Sequence, residues 1–129
     1  MLSSTTVFIV EGDASFRRAI ARLMQAARFQ VVCTSCIDEL LALDLPENDA
    51  VIVADLGTIR HYAETLPHQL HDQATSLPVI YLTNDDTEQT RKEARRAGAA
   101  GYFRIPVDEQ ALVDAIAFAA EGPGARRIS

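Results

Sequence analysis

Four side chains that could do chemistry lie at or near the ends of short apolar runs in this 129-residue chain. They are Glu11, Asp55, Thr83 and Tyr102. Glu11 and Asp55 carry carboxylates, which are among the ligands that Mg²⁺ uses in proteins, and Thr83 carries a hydroxyl. If the runs are parallel strands, these side chains gather at one edge of a sheet, where α/β proteins bind ligands. The sequence therefore predicts a polar site built from strand ends, with Glu11 and Asp55 as its two carboxylates.

A second possible chemistry comes from Cys33 and Cys36, which form a C-x-x-C motif. This spacing next to a βαβ unit can indicate a thiol redox site. Cys33 is expected in a strand, and only Cys36 reaches a helix N-terminus, where the dipole can lower a thiol pKa. A thiol redox sensor using both cysteines stays open as an alternative. Zinc binding is not indicated, because no second pair of ligands accompanies the motif.

The elements that must position these residues alternate five times between a short apolar run and a longer amphipathic stretch, which is typical of βαβ units. The predicted strands are residues 6–10, 30–34, 50–54, 78–83 and 101–104. The predicted helices are an apolar face over 16–27, then 35–43, a short or kinked helix within 57–76, 86–97 and 109–121. Pro67 interrupts the third of these patterns. The expected fold class is α/β, a doubly wound five-stranded parallel sheet with helices on both faces.

Local signals indicate where several helices begin and end. Asp13 or Ser15 is expected to cap the first helix, because its side-chain oxygen can accept an unpaired backbone N–H. Ser35, with Asp38 three residues later, predicts a capping box for the second helix. Gly98 is expected to end the fourth helix as its C-terminal cap.

Composition limits the possible partners. The 48% apolar and 23% charged residues are ordinary for a globular domain, and the net charge of −6 argues against nucleic acid or anionic membrane binding by this domain. The early apolar run 7–10 is too short for a membrane span or signal peptide. Two cysteines fit a reducing compartment. We expect a cytoplasmic protein with one domain over 5–121 and a tail or linker start over 122–129.

The strand-end residues and their spacing resemble the receiver domains of two-component signalling, the CheY-like family of response regulators. The intervals are 44 residues from Glu11 to Asp55, 28 from Asp55 to Thr83 and 22 from Thr83 to Ile105. The resemblance covers residues 6–121. It implies a flavodoxin-like sheet in the order 2-1-3-4-5.

The resemblance also implies a role for each matching residue. Asp55 would be the phosphoacceptor, Thr83 the hydroxyl that contacts the phosphoryl group, and Tyr102 the aromatic switch. Pro106 matches a proline whose preceding peptide bond is usually cis in this family. In such domains an acidic pair after the first strand and the phosphoacceptor together hold Mg²⁺.

Three positions depart from the family pattern. Glu11 replaces the usual first Asp, Gly12 replaces the second acidic residue, and Ile105 stands at the usual Lys position. Asp13 is expected to face the helix that it caps, and Arg104 should point to the opposite face of its strand from the lost Lys. One anion and one cation are thus absent together, so Mg²⁺ stays a candidate cofactor that Glu11 and Asp55 alone would bind weakly.

These departures favour an atypical receiver domain in phosphorelay signalling, a regulatory module and not an enzyme, with impaired Mg²⁺-dependent phosphorylation. The alternative is a conventional receiver modified at Asp55 by a histidine kinase. The expected partner is a histidine kinase or another signalling protein. The expected output surface is 86–121, the helix, strand and last helix through which a homodimer is also possible.

Overall fold

The computed structural model describes residues 4–122, whose strands pair into a five-stranded sheet. The strands are β1 (Thr6–Val10), β2 (Gln30–Thr34), β3 (Ala50–Asp55), β4 (Val79–Thr83) and β5 (Gly101–Arg104). Every neighbouring pair is parallel, and the order is β2-β1-β3-β4-β5. The predicted fold class and strand order are both confirmed.

Helices cover both faces of this sheet. They are α1 (Ala14–Ala26), α2 (Ile37–Leu41), α3 (Leu56–Ile59), α4 (Leu66–Asp72), α5 (Glu88–Arg96) and α6 (Glu109–Ala120), with a 3₁₀ turn over Arg60–Tyr62. Buried residues of α1 and α6 belong to one apolar cluster, and buried residues of α2, α3, α4 and α5 belong to the other. The arrangement is the doubly wound one that alternating strands and helices predict.

Each strand contributes alternate residues to the two clusters. In β1, Phe8 and Val10 join the α2–α5 side, while Val7 and Ile9 join the α1–α6 side. Successive side chains of a strand point to opposite faces, so a strand covered on both faces must be apolar throughout. This requirement explains the short apolar runs of the sequence and leaves the strand ends as the places for polar side chains.

Two helix ends have the capping residues that the sequence predicts. The Asp13 carboxylate accepts a 2.8 Å hydrogen bond from the N–H of Phe16 and begins α1, as predicted. Gly98 has a φ of +69° just after α5, the left-handed conformation that glycine adopts readily. The helix itself begins at Glu88, two residues later than predicted, because Thr87 is the N-cap.

The predicted capping box of Ser35 with Asp38 is wrong. Cys36 is the N-cap of α2 and makes no side-chain cap hydrogen bond. Glu39 instead accepts hydrogen bonds from both the N–H and the hydroxyl of Ser35. The longer side chain one position further along the helix reaches back to Ser35, and the sequence pattern does not distinguish these two acidic neighbours.

The segment that the sequence left least defined contains two short helices. One turn of α3 directly follows β3, and α4 restarts at Leu66 with Pro67 in its first turn, where a proline costs no hydrogen bond. Ile59, Leu66 and Leu70 are buried, as the apolar pattern indicates. The prediction of a short or kinked helix is therefore confirmed.

The ends of the predicted domain stay predictions. Within the predicted tail, residues 123–129 lie outside the described residues, and the boundary at residue 121 is not tested. No helix among residues 4–122 has the length and apolar character needed to cross a membrane.

Candidate functional site

The polar site lies where β1 and β3 end side by side. Val10 pairs with Ala54, so the next residues along the two strands, Glu11 and Asp55, are neighbours at the carboxyl edge of the sheet. The first turns of α1 and α3 begin directly beyond them. The sheet register thus brings together two carboxylates that are 44 residues apart in the sequence.

Glu11 is a buried carboxyl group. Its side chain is almost completely covered, with 3% of the residue exposed. Oε2 accepts a 3.0 Å hydrogen bond from the N–H of Asp13, while Oε1 is buried without a hydrogen-bond partner among the described residues. Burial raises the pKa of Glu11 above its ordinary value, and the negative charge of Asp55 adds to the rise.

Asp55 is the N-cap of α3 and is only half-buried. Its Oδ1 accepts a 3.2 Å hydrogen bond from the N–H of Gly57, and its Oδ2 accepts a 3.1 Å bond from the hydroxyl of Thr58. Asp55 therefore caps a helix and belongs to the strand-end site at the same time.

Thr58 is the contact residue that the sequence analysis missed. Besides Asp55, its hydroxyl is 3.3 Å from Oε2 of Glu11, and it accepts a 3.0 Å hydrogen bond from the N–H of Gly12. A helix starting at Leu56 places Thr58 at the third helical position, whose side chain can reach back to the N-cap, as in a capping box. The Asp-x-x-Thr spacing was therefore a usable signal, although a helix starting directly after Asp55 was not predicted.

Gly12 and Asp13 form the loop between β1 and α1. Gly12 has no side-chain oxygen, and the Asp13 carboxylate is used by the α1 cap, as predicted. Arg17, in the first turns of α1, donates a 2.8 Å hydrogen bond to the main-chain carbonyl of Glu11. This arginine was also missed, because the sequence pattern of α1 was used only to find its apolar face.

Thr83 lies at the end of β4 but has no described hydrogen bond to Asp55. It is buried, with 2% exposed, and its hydroxyl accepts a 3.0 Å hydrogen bond from the N–H of Asp85. A cavity of about 190 Å³ separates α3 from α5, and its lining includes Gly57, Arg60 and Thr83. Thr83 therefore faces a space that is also lined by Leu56 and Gly57, the two residues after Asp55.

Tyr102 belongs to a different polar network. Its hydroxyl donates a 2.9 Å hydrogen bond to Asp86 and lies 2.8 Å from the hydroxyl of Thr90. Arg91 binds the same carboxylate at 2.8 and 3.0 Å. Arg91 first and Tyr102 second lower the pKa of Asp86 to about 2. The strand-end tyrosine is thus tied to the start of α5 and not to the carboxylate pair.

Ile105 lies in apolar surroundings. It is half-buried against the α1–α6 cluster and lines a groove with Phe16 and Ile20 of α1. The Ile105–Pro106 peptide bond is cis, as the family resemblance implied. Arg104 is exposed and its charge acts on Asp86, so it does not take the place of the lost lysine.

This arrangement of strand ends agrees with an independent comparison of sequences. A model of the response regulator receiver domain matches residues 7–117, which is most of the chain. The chain belongs to the response regulator receiver domain family. The resemblance that the strand-end residues carried is therefore confirmed, and the chain is a receiver domain of the two-component type.

Several known proteins are similar to this chain at moderate identity. Nodulation protein W of Bradyrhizobium diazoefficiens is 27% identical over 126 residues, which cover 94% of this chain and 53% of that protein. The response regulator StyR is 28% identical, with a TM-score of 0.76 over 98% of this chain and 64% of that one. FixJ-N is 25% identical, with a TM-score of 0.80 over 93% of this chain and 96% of that one. The chain thus spans about half of the nodulation protein.

The residues of this receiver do not match the usual Mg²⁺ donor set. Mg²⁺ requires near-octahedral oxygen coordination at about 2.1 Å and usually takes one or two carboxylates with several waters. Glu11 and Asp55 remain, but Gly12 supplies no oxygen and Asp13 caps a helix. In the part of the chain that the structure describes, no group of three or more His, Cys, Asp or Glu residues could hold a metal ion.

Proposed function

We propose that this chain is an atypical receiver domain, a pseudo-receiver that regulates signalling through protein contacts and is phosphorylated poorly with Mg²⁺. One observation carries the proposal. The carboxylates of Glu11 and Asp55 are linked by the neutral hydroxyl of Thr58, and neither forms an ion pair with a Lys or Arg among residues 4–122. The site therefore keeps its anions without the cations that phosphoryl transfer requires.

Ile105 supports this proposal. The lysine that it replaces would neutralise charge on a phosphoryl group, and removal of one such donor typically costs a factor of about 10²–10³ in rate. Ile105 instead packs in an apolar groove, where it adds to stability. Phosphorylation of Asp55 at an ordinary rate would need another cation in its place.

The proposed output surface is the α5–β5–α6 face, residues 86–121. Its polar part is the network of Asp86, Thr90, Arg91 and Tyr102, and half-buried Tyr102 also packs against the α2–α5 cluster. A polar network on a face of this kind suits a protein partner. We propose a histidine kinase or another signalling protein as partner, with a homodimer through the same face as a second mode.

We propose no enzyme activity and no nucleic acid or membrane binding for this domain, and a cytoplasmic location.

Two alternative functions stay open. In the first, a histidine kinase phosphorylates Asp55 in the conventional way, which the half-exposed position of this carboxylate permits. In the second, Cys33 and Cys36 act as a thiol redox pair, since both are free and exposed. Cys33 lies in the edge strand β2 and Cys36 is the N-cap of α2.

Intact-mass measurement after incubation with a small acyl phosphate and Mg²⁺ tests the proposal. We expect little or no phosphoryl adduct on the wild-type chain under conditions that fully modify a receiver with the usual acidic pair and lysine. Rapid accumulation of an adduct that disappears in Asp55→Asn would support the conventional receiver instead.

A thiol count tests the redox alternative separately. We expect the same number of reactive thiols after exposure to a mild oxidant as after reduction. Loss of both reactive thiols on oxidation, reversed by reductant and absent in Cys33→Ser, would support the redox pair.

A further inference from the structure

The hydroxyl of Thr58 lies between the two carboxylates of the site. Its oxygen is 3.1 Å from Oδ2 of Asp55 and 3.3 Å from Oε2 of Glu11, and it accepts a 3.0 Å hydrogen bond from Gly12. A hydroxyl has one proton and two lone pairs. It donates to one carboxylate at a time, while one lone pair is already used by the Gly12 N–H.

Position 12 lies directly beside this hydroxyl. A Cβ built on Gly12 would lie 3.4 Å from Oγ1 and 3.8 Å from Cγ2 of Thr58, in ordinary van der Waals contact. An acidic side chain at position 12 would therefore begin next to Thr58. The missing carboxylate and the bridging hydroxyl belong to the same small region.

The rest of the loop between β1 and α1 is also hydrogen-bonded within the chain. The Asp13 N–H donates to Oε2 of Glu11 at 3.0 Å, and Arg17 donates to the Glu11 carbonyl at 2.8 Å. Oε2 of Glu11 thus has two donors nearby, one from the backbone and one from Thr58. A cation at this oxygen would have to displace at least one of them.

We propose that Thr58 closes this site to divalent cations by bridging Glu11 and Asp55 with its hydroxyl. This inference rests on the proposed function and names the residue responsible for poor metal use. A Mg²⁺ ion bound through Oε2 of Glu11 or Oδ2 of Asp55, the two oxygens that Thr58 contacts, would hold them at about 2.1 Å. The hydrogen bonds from Thr58 would then be lost, so the hydroxyl competes with the ion for the same oxygens.

The opposite role for Thr58 would be that of a metal ligand that replaces the lost acidic residue. The described contacts favour closure, because the hydroxyl proton is directed to a carboxylate and one lone pair is used by Gly12. Coordination would have to use the one lone pair of the hydroxyl that the Gly12 N–H leaves free. The two roles predict opposite effects when the hydroxyl is removed.

Electron paramagnetic resonance of free Mn²⁺ measures how tightly each protein binds the ion. It therefore tests whether the Thr58 hydroxyl competes with the ion for the carboxylate oxygens. The proteins are the wild-type chain, Thr58→Val, Gly12→Asp and the double variant Gly12→Asp/Thr58→Val. Valine keeps the shape of threonine without its hydroxyl. We expect Thr58→Val to tighten Mn²⁺ binding about tenfold in the Gly12→Asp background, the scale of one hydrogen bond to a charged group.

Two control variants separate the hydroxyl from general effects. In the Gly12→Asp background, Thr58→Ser keeps the hydroxyl. This variant should bind Mn²⁺ as weakly as the protein with threonine at position 58. Thr65→Val removes a hydroxyl that donates to the Tyr62 carbonyl away from the site and should change nothing. Unchanged circular dichroism and melting temperature show that each variant is folded.

Three outcomes would overturn the closure. Weaker Mn²⁺ binding in Gly12→Asp/Thr58→Val than in Gly12→Asp would identify the hydroxyl as a ligand, and equal measurable binding in both would show that it has no influence on the ion. Undetectable binding in both would also contradict the closure, because removal of the hydroxyl would not have opened the site. The proposed function fails on a different result, the rapid phosphorylation of the wild-type chain. The two ideas can therefore fail independently.

Discussion

The hydroxyl of Tyr102 donates a 2.9 Å hydrogen bond to Oδ1 of Asp86, a residue that precedes α5 in the sequence. The same hydroxyl lies 2.8 Å from Oγ1 of Thr90, and Arg91 binds both oxygens of the Asp86 carboxylate. The network ties the edge strand β5 to the beginning of α5. Any movement of the Tyr102 ring away from α5 must break both of its hydrogen bonds.

Substitution of Tyr102 by Phe should raise the pKa of Asp86. Arg91 contributes most to holding this pKa at about 2, and the Tyr102 hydroxyl contributes next, so the value should stay below the ordinary 3.8 in Tyr102→Phe. Titration of the side-chain carboxyl carbon by NMR measures it. Tyr62→Phe, at an exposed tyrosine, is the control and should leave Asp86 unchanged. An unaltered Asp86 titration in Tyr102→Phe would contradict the network.

The charge on Asp86 should make the free energy of unfolding depend on pH in the acid range. Because the folded pKa of about 2 lies below the ordinary 3.8, the charged carboxylate stabilises the fold above pH 3.8, and this contribution is lost as the pH falls through 2. The free energy of unfolding in urea should therefore differ between wild type and Asp86→Asn at pH 5 and converge toward pH 2. Added salt should reduce the difference. A difference that is constant with pH would rule out this linkage.

The sheet could be predicted from the sequence almost residue by residue. The bounds of β1, β2 and β5 agree with the prediction, and β3 and β4 differ by one residue at one end. The inner strands β1, β3 and β4 are largely buried on both faces, so the limits of an apolar run are nearly the limits of the strand. The same reasoning located Glu11 and Asp55 at one edge of the sheet. The edge strand β2 was found from its β-branched residues instead.

The contacts within the site could not be predicted in the same way. The bond of Thr58 to Glu11 joins residues 47 positions apart and depends on where α3 begins, which no apolar pattern marks. The choice of Glu39 over Asp38 as the partner of Ser35 depends on side-chain reach. The resemblance implied a switch role for Tyr102, but its partner Asp86 follows only from the packing of α5.

The packing of α6 on the sheet should contribute strongly to stability through Leu112. This side chain is completely buried in the α1–α6 cluster. Leu112→Ala should lower the free energy of unfolding by about 2–5 kcal/mol, from lost burial and the cavity left behind. Val113→Ala, at the half-buried neighbouring position, is the matched control and should cost less. Equal losses in urea denaturation would show that α6 packs differently.

Restoring the two absent groups should restore phosphorylation. Gly12→Asp returns a carboxylate for Mg²⁺, and Ile105→Lys returns a cation for the phosphoryl group, so the double variant should form the Asp55 adduct about a hundredfold faster than wild type. Intact mass against time, with a small acyl phosphate and Mg²⁺, gives the rate. Gly12→Asp/Ile105→Met keeps an apolar side chain in the groove and should gain much less, because the cation is still absent. If the double variant reacts no faster than wild type, then the loop around Asp55, and not these two positions, limits the reaction.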